Sequence, residues 1–303
     1  MHILVTGSHG QLGRALEHLF SHGSSEAGAL PASYKAAQVD YIDMDDCDIS
    51  SQQAVEEWFS SHEPYDLVIN CAAMTNVDGC DANRLAAFAA NAQGPYNLAH
   101  ACNNQHAALV HVSTDYVFAG TQQRPRVEDD MVCPISGYGQ SKLAGEALVR
   151  VTCPASFIVR TAWLYGYTGK NFVKTMLSLA QTHESISVVD DQFGNPTSAE
   201  DLALAIVRIA AGAPYGVYHC TCEGTCSWAD FAQAIMDEFA KPCRVTRISS
   251  ATYKEQHPQS ASRPHYSSLD NANMRRAGIP PMRSWREALH SYATNCALYE
   301  KRA

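Results

Sequence analysis

The sequence lacks a surplus of positive charge. Its 303 residues include 22 Lys and Arg against 31 Asp and Glu, so the formal net charge is −9 with neutral histidines. Proteins that bind nucleic acid depend on clustered Lys and Arg to neutralise phosphates. The balance predicts no nucleic-acid partner, although a phosphorylated ligand held at a helix N-terminus is compatible with it.

Long apolar runs are also missing. No stretch approaches the roughly 20 residues that a membrane-spanning helix needs. The opening run, residues 3–5, is too short for the core of a signal peptide. We therefore expect a cytoplasmic protein with no membrane partner. Hydrophobic residues make up 46% and charged residues 17% of the chain, which is typical of a folded globular protein.

The sequence also lacks the pattern of a disulfide framework, although it contains 11 cysteines. The count is odd, and the cysteines are scattered through predicted strands and helices, which favours reduced thiols. Cys220, Cys222 and Cys226 do not have a usual zinc spacing, and no second pair matches them. We predict no metal site from these residues.

What the sequence does contain is a regular alternation of strands and helices. Short apolar runs typical of buried parallel strands recur, with helical patterns between them, at residues 3–5, 39–43, 66–70, 109–113 and 157–160. This alternation predicts an α/β fold with a doubly wound, parallel Rossmann sheet. In such a sheet the ligands bind at the carboxyl ends of the strands.

Beyond residue 165 the alternation weakens. Short apolar runs at 186–189 and 216–219 mix there with helical patterns. We therefore predict a dinucleotide-binding Rossmann domain at residues 1–165 and a smaller C-terminal lobe, mainly substrate-binding, at residues 166–303. Residues 199–215 are expected to return to the first domain.

A glycine-rich turn follows the first predicted strand. Gly7 and Gly10 stand where a backbone approaches a pyrophosphate, and Gly13 stands where a helix packs closely on the sheet. The helix that follows would offer its N-terminal amides to the phosphates. A turn that needs glycines only for its shape is the alternative. The position after the first strand favours cofactor binding.

Aspartates near the end of the second predicted strand are candidates for the adenosine ribose. Asp40 and Asp43 both lie there, farther from the glycines than usual because residues 21–38 form a predicted surface insertion. Asp48 could sit beside the adenine. Any of them could instead be a solvated turn residue. No Arg pair for a 2′-phosphate follows this strand, although Arg14 could bind one. The residues alone therefore do not decide between NADPH and NADH as the cofactor.

Tyr138 and Lys142 are four residues apart in a predicted helix, so they share one helix face. An ammonium stabilises a nearby phenolate. We therefore expect Lys142 to lower the pKa of Tyr138 and let the phenol exchange a proton with a carbonyl or alcohol oxygen. Tyr-x₃-Lys also occurs by chance on ordinary helices.

An upstream strand makes it less plausible that the Tyr138–Lys142 spacing arose by chance. It ends at Ser113 and Thr114, where a hydroxyl could polarise a carbonyl, although both could be simple turn residues. Hydroxyl, Tyr and Lys together are typical of a carbonyl reductase that takes a hydride from a nicotinamide.

Eight segments, in order, carry a more specific pattern: GSHGQLG, NCAAMTNVD, VSTDYVFAG, YGQSKLAGE, RTAWLYG, NFVKTML, DDQFGNPT and SRPHYSSLD. In these segments the chain resembles the dTDP-4-dehydrorhamnose reductase family of the extended short-chain dehydrogenase/reductase superfamily. The resemblance implies an oxidoreductase of dTDP-rhamnose biosynthesis that reduces the C4 ketone of dTDP-4-dehydro-L-rhamnose to dTDP-L-rhamnose. The implied cofactor is NADPH, with NADH also possible.

The resemblance also implies roles for individual residues. Tyr138 would be the proton donor, Lys142 its pKa partner and a ribose ligand, and Thr114 the hydroxyl beside them. The implied cofactor-binding residues are Gly7, Gly10, Gln11, Leu12, Gly13, Asp43, Asp48, Ile49, Ala73, Met74, Thr75, Tyr138 and Lys142. The implied substrate-binding residues are Thr114, Asp115, Trp163, Asn171 and Arg263.

Alternatives to this interpretation stay open. Ala15 stands where metal-bridged bacterial relatives carry a glutamate, and Glu200 alone cannot hold a cation, so we predict no structural magnesium at a dimer interface. A homodimer is one possible oligomer. The regulatory beta subunit of methionine adenosyltransferase is similar to the same family. A non-catalytic NADP-binding regulator, with the adenosyltransferase catalytic subunit as its partner, is therefore one alternative. A reductase or epimerase of another nucleotide sugar is the other.

Overall fold

A computed structural model describes residues 1–300, and the side chains of residues 1–297. The strands are β1 (His2–Thr6), β2 (Ser24–Ser25), β3 (Gly28–Ala29), β4 (Gln38–Ile42), β5 (Leu67–Asn70), β6 (Ala108–Thr114), β7 (Ser156–Thr161), β8 (Leu164–Tyr165), β9 (Ser185–Val189), β10 (Phe193–Gly194), β11 (Thr197–Ser198), β12 (Gly216–His219), β13 (Cys226–Ser227) and β14 (Arg244–Ile248). The helices are α1 (Gln11–His22), α2 (Gln52–Ser61), α3 (Val77–Ala82), α4 (Arg84–Phe88), α5 (Gly94–Gln105), α6 (Gly137–Thr152), α7 (Phe172–Leu179), α8 (Ala199–Ala210), α9 (Trp228–Glu238), α10 (Ser250–Gln256), α11 (Ala272–Arg276) and α12 (Trp285–Glu300). No helix in this described part of the chain is both long and apolar enough to cross a membrane.

The centre of the fold is a six-stranded sheet in the order β12-β7-β6-β5-β1-β4. Every neighbouring pair is parallel, which confirms the predicted α/β fold with a doubly wound sheet. The chain runs outward from β1 to β4 on one side and from β5 to β12 on the other. The strand order therefore reverses beside β1, and the crevice at this reversal is where such sheets bind ligands.

Helices cover both faces of the sheet, so β1 is buried on both sides. Ile3, Leu4 and Val5 have no exposed surface. Ile3 and Val5 belong to the core cluster that includes α1 and α8, whereas Leu4 belongs to the cluster that includes α2 and α5. Burying each such aliphatic side chain stabilises the fold by about 1.5–3 kcal/mol. These two clusters hold the turn after β1 rigidly in place.

Residues 216–219 correct part of the sequence interpretation. We placed this run in the smaller lobe, but it is β12, which pairs with β7 from Gly216 opposite Phe157 to His219 opposite Arg160. A single four-residue apolar run carries no signal of which sheet it joins. The division at residue 165 itself stays a prediction.

The helical segment that contains α4 and α5 is not a continuous α-helix. Between α4 and α5 the chain forms a π-helical turn at Ala89–Gln93. There the buried Asn91 amide pairs with the backbone of Met74, accepting from its N–H at 2.8 Å and donating to its carbonyl at 3.0 Å. π-turns inside helices frequently lie at functional sites. This one anchors the loop that follows β5.

The predicted insertion at residues 21–38 contains structure of its own. β2 and β3 form a short antiparallel hairpin, and a 3-10 turn follows at Ala32–Tyr34.

The three cysteines considered as metal ligands, Cys220, Cys222 and Cys226, are buried free thiols. Within the described residues, no group of three or more His, Cys, Asp or Glu side chains could hold a metal ion.

Candidate active site

A cavity of about 1070 Å³ lies at the carboxyl ends of the parallel strands. Its lining includes almost every site residue predicted from the sequence, namely Gly7, Gly10, Gln11, Leu12, Gly13, Asp43, Asp48, Ile49, Ala73, Met74, Thr75, Thr114, Asp115, Tyr138, Lys142 and Trp163. Asn171 and Arg263 are not in the lining. The fold thus brings together residues that are as far apart along the sequence as Gly7 and Trp163.

The glycine turn leaves room where side chains would otherwise stand. Gly7 has a φ of +67°, and a Cβ there would lie 2.6 Å from the backbone nitrogen of Ala72. A Cβ on Gly13 would lie 2.4 Å from the carbonyl oxygen of Gly7. α1 begins at Gln11 directly after this turn, with no side-chain cap on its first amides. A cradle with free helix amides fits a pyrophosphate.

The structure separates the two aspartates that the sequence left open. Asp43 follows β4 and lines the cavity. Asp40 does not line it, because its carboxylate accepts a hydrogen bond from Tyr65 at 3.0 Å and contacts the ring of His2 at 2.8 Å. Of the two aspartates, only Asp43 borders the cavity, and its role toward an adenosine ribose stays a prediction.

Lys142 lies in the cavity wall on α6, only 2% exposed. Its Nζ donates to the carbonyl of Val112 at 2.7 Å. Burial lowers the pKa of Lys142 to about 8, and the nearby Glu146 carboxylate partly opposes that shift. The amine can therefore gain or lose its proton near neutral pH.

Tyr138, one turn before Lys142, behaves differently from the expectation. Burial raises the pKa of its phenol, and the hydrogen bond with Thr114 only partly opposes this. The expected lowering by Lys142 is absent: burial dominates the pKa of the phenol, and the Lys142 ammonium is bonded to a backbone carbonyl instead. A phenol with a raised pKa stays protonated at neutral pH, which suits a proton donor.

Asp115 presents an unsatisfied acceptor. Its side chain is 2% exposed, and its Oδ1 accepts from the Thr114 hydroxyl at 3.0 Å. Its Oδ2 has no hydrogen-bond partner among the described residues. Burial raises the pKa of Asp115 to about 7, although the nearby hydroxyls of Ser267 and Thr114 partly oppose the rise. A buried, unpaired oxygen in a cavity wall is a position for a ligand hydroxyl.

Sequence reasoning missed Glu146, which is buried one turn after Lys142. It accepts from Arg160 Nε at 2.9 Å and Nη2 at 2.7 Å, and from the Ser113 hydroxyl at 2.6 Å. The Ser113 hydroxyl is thereby engaged by Glu146, whereas Thr114 is the hydroxyl that meets Tyr138. The i+4 spacing from Lys142 to Glu146 was a usable signal.

Trp228 was also missed. Its indole stacks on that of Trp163 with ring centroids 3.5 Å apart and planes 7° apart, and both rings line the cavity. Trp163 has a φ of +46°, unusual for a bulky residue. A Cβ at Gly194 would lie 2.5 Å from its ring. Only tertiary contacts hold this arrangement, so the local sequence gave no sign of it.

The two predicted residues outside the lining serve structural contacts. Asn171 caps α7 and donates to Gln11 Oε1 at 2.9 Å, so it touches the glycine turn indirectly. Arg263 pairs with Asp78 at 3.1 Å. Their predicted roles toward a nucleotide stay predictions.

Comparison with known proteins matches the chain to one family over nearly its whole length. The family model described as RmlD substrate binding domain matches residues 1–298. A dTDP-4-dehydrorhamnose reductase of Mycobacterium tuberculosis is 42% identical over 294 residues, which is 95% of this chain and 90% of that protein.

Solved structures agree with the sequence comparison. A crystal structure of a dTDP-4-dehydrorhamnose reductase from Clostridium acetobutylicum superposes with a TM-score of 0.89 at 41% identity, covering 97% of this chain and 99% of that one. The Bacillus anthracis dTDP-4-dehydrorhamnose reductase in complex with NADP gives a TM-score of 0.88 at 35% identity, with the same coverage.

Proposed function

The chain belongs to the dTDP-4-dehydrorhamnose reductase family, and from this premise we propose that it reduces the C4 ketone of dTDP-4-dehydro-L-rhamnose to dTDP-L-rhamnose. It is accordingly an oxidoreductase. The observation that carries the proposal is the cavity that joins the glycine turn to Thr114, Tyr138 and Lys142. A dinucleotide on the turn and a sugar beside Tyr138 would meet inside it.

NADPH, or NADH, is the cofactor, and the residues of the cavity fit it. The pyrophosphate would lie against Gly10, Gln11 and Leu12, in the turn where Gly7 and Gly13 leave no room for a side chain. Asp43 would hold the adenosine ribose, with Asp48 and Ile49 on the adenine side. Residues 73–75 would face the nicotinamide half. When bound, the reduced dinucleotide supplies a hydride to the ketone carbon.

The proton would come from Tyr138. Its hydroxyl would donate a proton to the C4 oxygen, which becomes the product hydroxyl. The raised pKa of Tyr138 keeps the phenol protonated at neutral pH. Thr114, hydrogen-bonded to Tyr138, orients the phenol. Lys142, fixed by the Val112 carbonyl, would hold the nicotinamide ribose and steady the negative charge that the phenol gains.

The nucleotide sugar would occupy the far end of the cavity. The unpaired Asp115 oxygen supports a hydrogen bond to a sugar hydroxyl, and the Trp163 indole supports packing of an apolar sugar face. Asn171 and Arg263 are proposed contacts to the nucleotide, and Arg263 would have to exchange its Asp78 partner for a phosphate.

An assay with purified protein tests the proposal. We expect loss of reduced-nicotinamide absorbance that depends on dTDP-4-dehydro-L-rhamnose, and NMR of the product should identify dTDP-L-rhamnose. Consumption with other nucleotide sugars only would favour the other-sugar alternative. A protein that binds the dinucleotide but consumes none with any ketosugar would refute the proposal. In that case co-purification with a methionine adenosyltransferase catalytic subunit would favour the regulator.

Lys142 is expected to set the alkaline limb of the pH profile. Burial lowers the pKa of Lys142 to about 8, so the neutral amine predominates above that pH and no longer stabilises the phenolate. The ratio kcat/KM for the dinucleotide reports the free enzyme. We expect this ratio, measured from initial rates, to fall as the pH rises through about 8.

A lysine outside the site provides the control for this pH prediction. Lys241→Met, at an exposed position, should keep the alkaline limb where it is. A profile that stays flat until pH 10.5, the ordinary pKa of lysine, would contradict the prediction. The free energy of unfolding should instead increase as the pH rises from about 8 to 10.5. Burying the Lys142 ammonium costs free energy below about pH 8, and that cost fades toward pH 10.5.

A further inference from the structure

We propose that Asp43 makes this chain bind NADH more tightly than NADPH. The inference rests on the proposed dinucleotide site and specifies which form of the adenosine ribose that site accepts. Rossmann proteins distinguish the two cofactors at the end of the second strand of the fold. An acidic residue there bonds the free 2′-hydroxyl, whereas an arginine accommodates the 2′-phosphate.

The backbone fixes Asp43 beside the glycine turn. β4 pairs with β1 so that Ile42 lies opposite Thr6, and the Ser8 N–H donates to the Ile42 carbonyl at 3.1 Å. Asp43 is the next residue, and its Oδ2 accepts from the His9 N–H at 2.8 Å. The carboxylate is therefore tied to the turn that would hold the pyrophosphate.

The Asp43 carboxylate keeps room for a ligand. Its Oδ1 accepts from the Met44 N–H at 2.8 Å, which with the bond from His9 fixes both oxygens in place. The side chain is still 27% exposed and lines the cavity. A carboxylate oxygen can accept more than one hydrogen bond, so a 2′-hydroxyl can donate to it without displacing a backbone partner.

The surrounding charge is negative. The turn from Asp43 to Asp48 contains four aspartates and no Lys or Arg, and its other residues are Met44 and Cys47. Asp46 Oδ2 accepts from the Asp43 N–H at 2.9 Å, so a second carboxylate lies beside the Asp43 backbone. A 2′-phosphate at this place would face like charges at close range.

The basic groups nearby do not offset these carboxylates. Arg14, the cation that the sequence offered for a 2′-phosphate, pairs with Glu17 at 2.7 Å and is not in the cavity lining. Lys142 is bonded to the Val112 carbonyl. Lys170 lines the cavity next to Gly169, which lies beside Gln11, so it stands on the pyrophosphate side of the turn. The His9 ring is 3.9 Å from Asp43 and 60% exposed, so it faces solvent as much as the site.

Like charges a few ångströms apart near a protein surface interact strongly enough to change affinity by at least about tenfold. We therefore expect the Kd of the full-length protein for NADH to be at least about tenfold lower than its Kd for NADPH. Isothermal titration calorimetry with each dinucleotide, without a sugar, measures this independently of turnover. The ratio should narrow as salt is added, since salt screens the repulsion.

Two matched variants identify the residue responsible. Asp43→Asn removes the charge and keeps the shape, so the Kd for NADPH should fall and the preference should shrink to within a few-fold. Asp237→Asn removes the same charge from an exposed residue of α9, outside both the acidic turn and the cavity lining, and should leave the preference within twofold of that of the unmodified protein. Circular dichroism verifies that both variants fold.

Three results would overturn the inference. Equal affinities, or tighter binding of NADPH, would refute the preference while leaving the proposed reductase function intact. A preference unchanged in Asp43→Asn would refute the role of Asp43. Failure to bind either dinucleotide would refute the proposed function itself, and the inference with it. The salt dependence of the unmodified protein tests the electrostatic cause even if Asp43→Asn does not fold.

Discussion

Tyr138→Phe should lower kcat by about 10²- to 10⁴-fold, because a positioned proton donor contributes that much to a reaction of this type. The ring that lines the cavity remains, so the Kd for the dinucleotide should change little. Initial rates with dTDP-4-dehydro-L-rhamnose and calorimetric binding of the dinucleotide measure the two quantities separately.

Tyr96→Phe is the matched control for this change. Tyr96 lies on α5, stacks on His100 and does not line the cavity, so losing its hydroxyl should leave kcat within about twofold. If Tyr138→Phe retained full turnover, Tyr138 would not be the proton donor. The neighbouring Asp115, whose pKa burial raises to about 7, would then be the next group to test as the donor.

Removing the Glu146 carboxylate should destabilise the whole fold. Glu146→Leu leaves the Arg160 guanidinium buried without its two carboxylate bonds, and breaking such a pair costs about 3–5 kcal/mol. Urea unfolding followed by fluorescence measures the change in the free energy of unfolding. The expected loss is a large part of the total stability of a typical domain.

The double variant Glu146→Leu with Arg160→Met tests whether the loss of stability comes from an unpaired buried charge. Because the penalty arises from one unpaired buried charge, removing both charges should recover most of the stability. A matched surface control is Arg276→Met, whose Asp129 partner is itself exposed, and its effect should be small. A double variant as unstable as Glu146→Leu alone would mean that packing, not charge, explains the loss.

The sequence predicted the features that depend on local pattern. Runs of apolar residues located the buried strands, and the spacing of Gly7, Gly10 and Gly13 located the turn after the first of them. The order of these elements was enough for a doubly wound sheet, since right-handed crossovers leave few other arrangements. Tyr138 and Lys142 were visible because four residues make one helical turn.

The sequence did not predict features that depend on partners distant along the chain. Trp228 is 65 residues from Trp163, and nothing local indicates that their rings meet. The choice between Asp40 and Asp43 depended on which carboxylate the neighbouring strands left free. The predicted direction of the Tyr138 pKa shift was wrong for the same reason. Desolvation of the phenol depends on all the residues that surround it in the fold.

The stacked indoles of Trp163 and Trp228 also have an optical consequence. Two identical chromophores with centroids 3.5 Å apart share their excitation, so their ultraviolet circular dichroism depends on the angle and separation between the rings. One ring follows β7 and the other begins α9, and both border the cavity. The protein therefore carries an intrinsic spectroscopic reporter of ligand entry, which needs no label and no turnover.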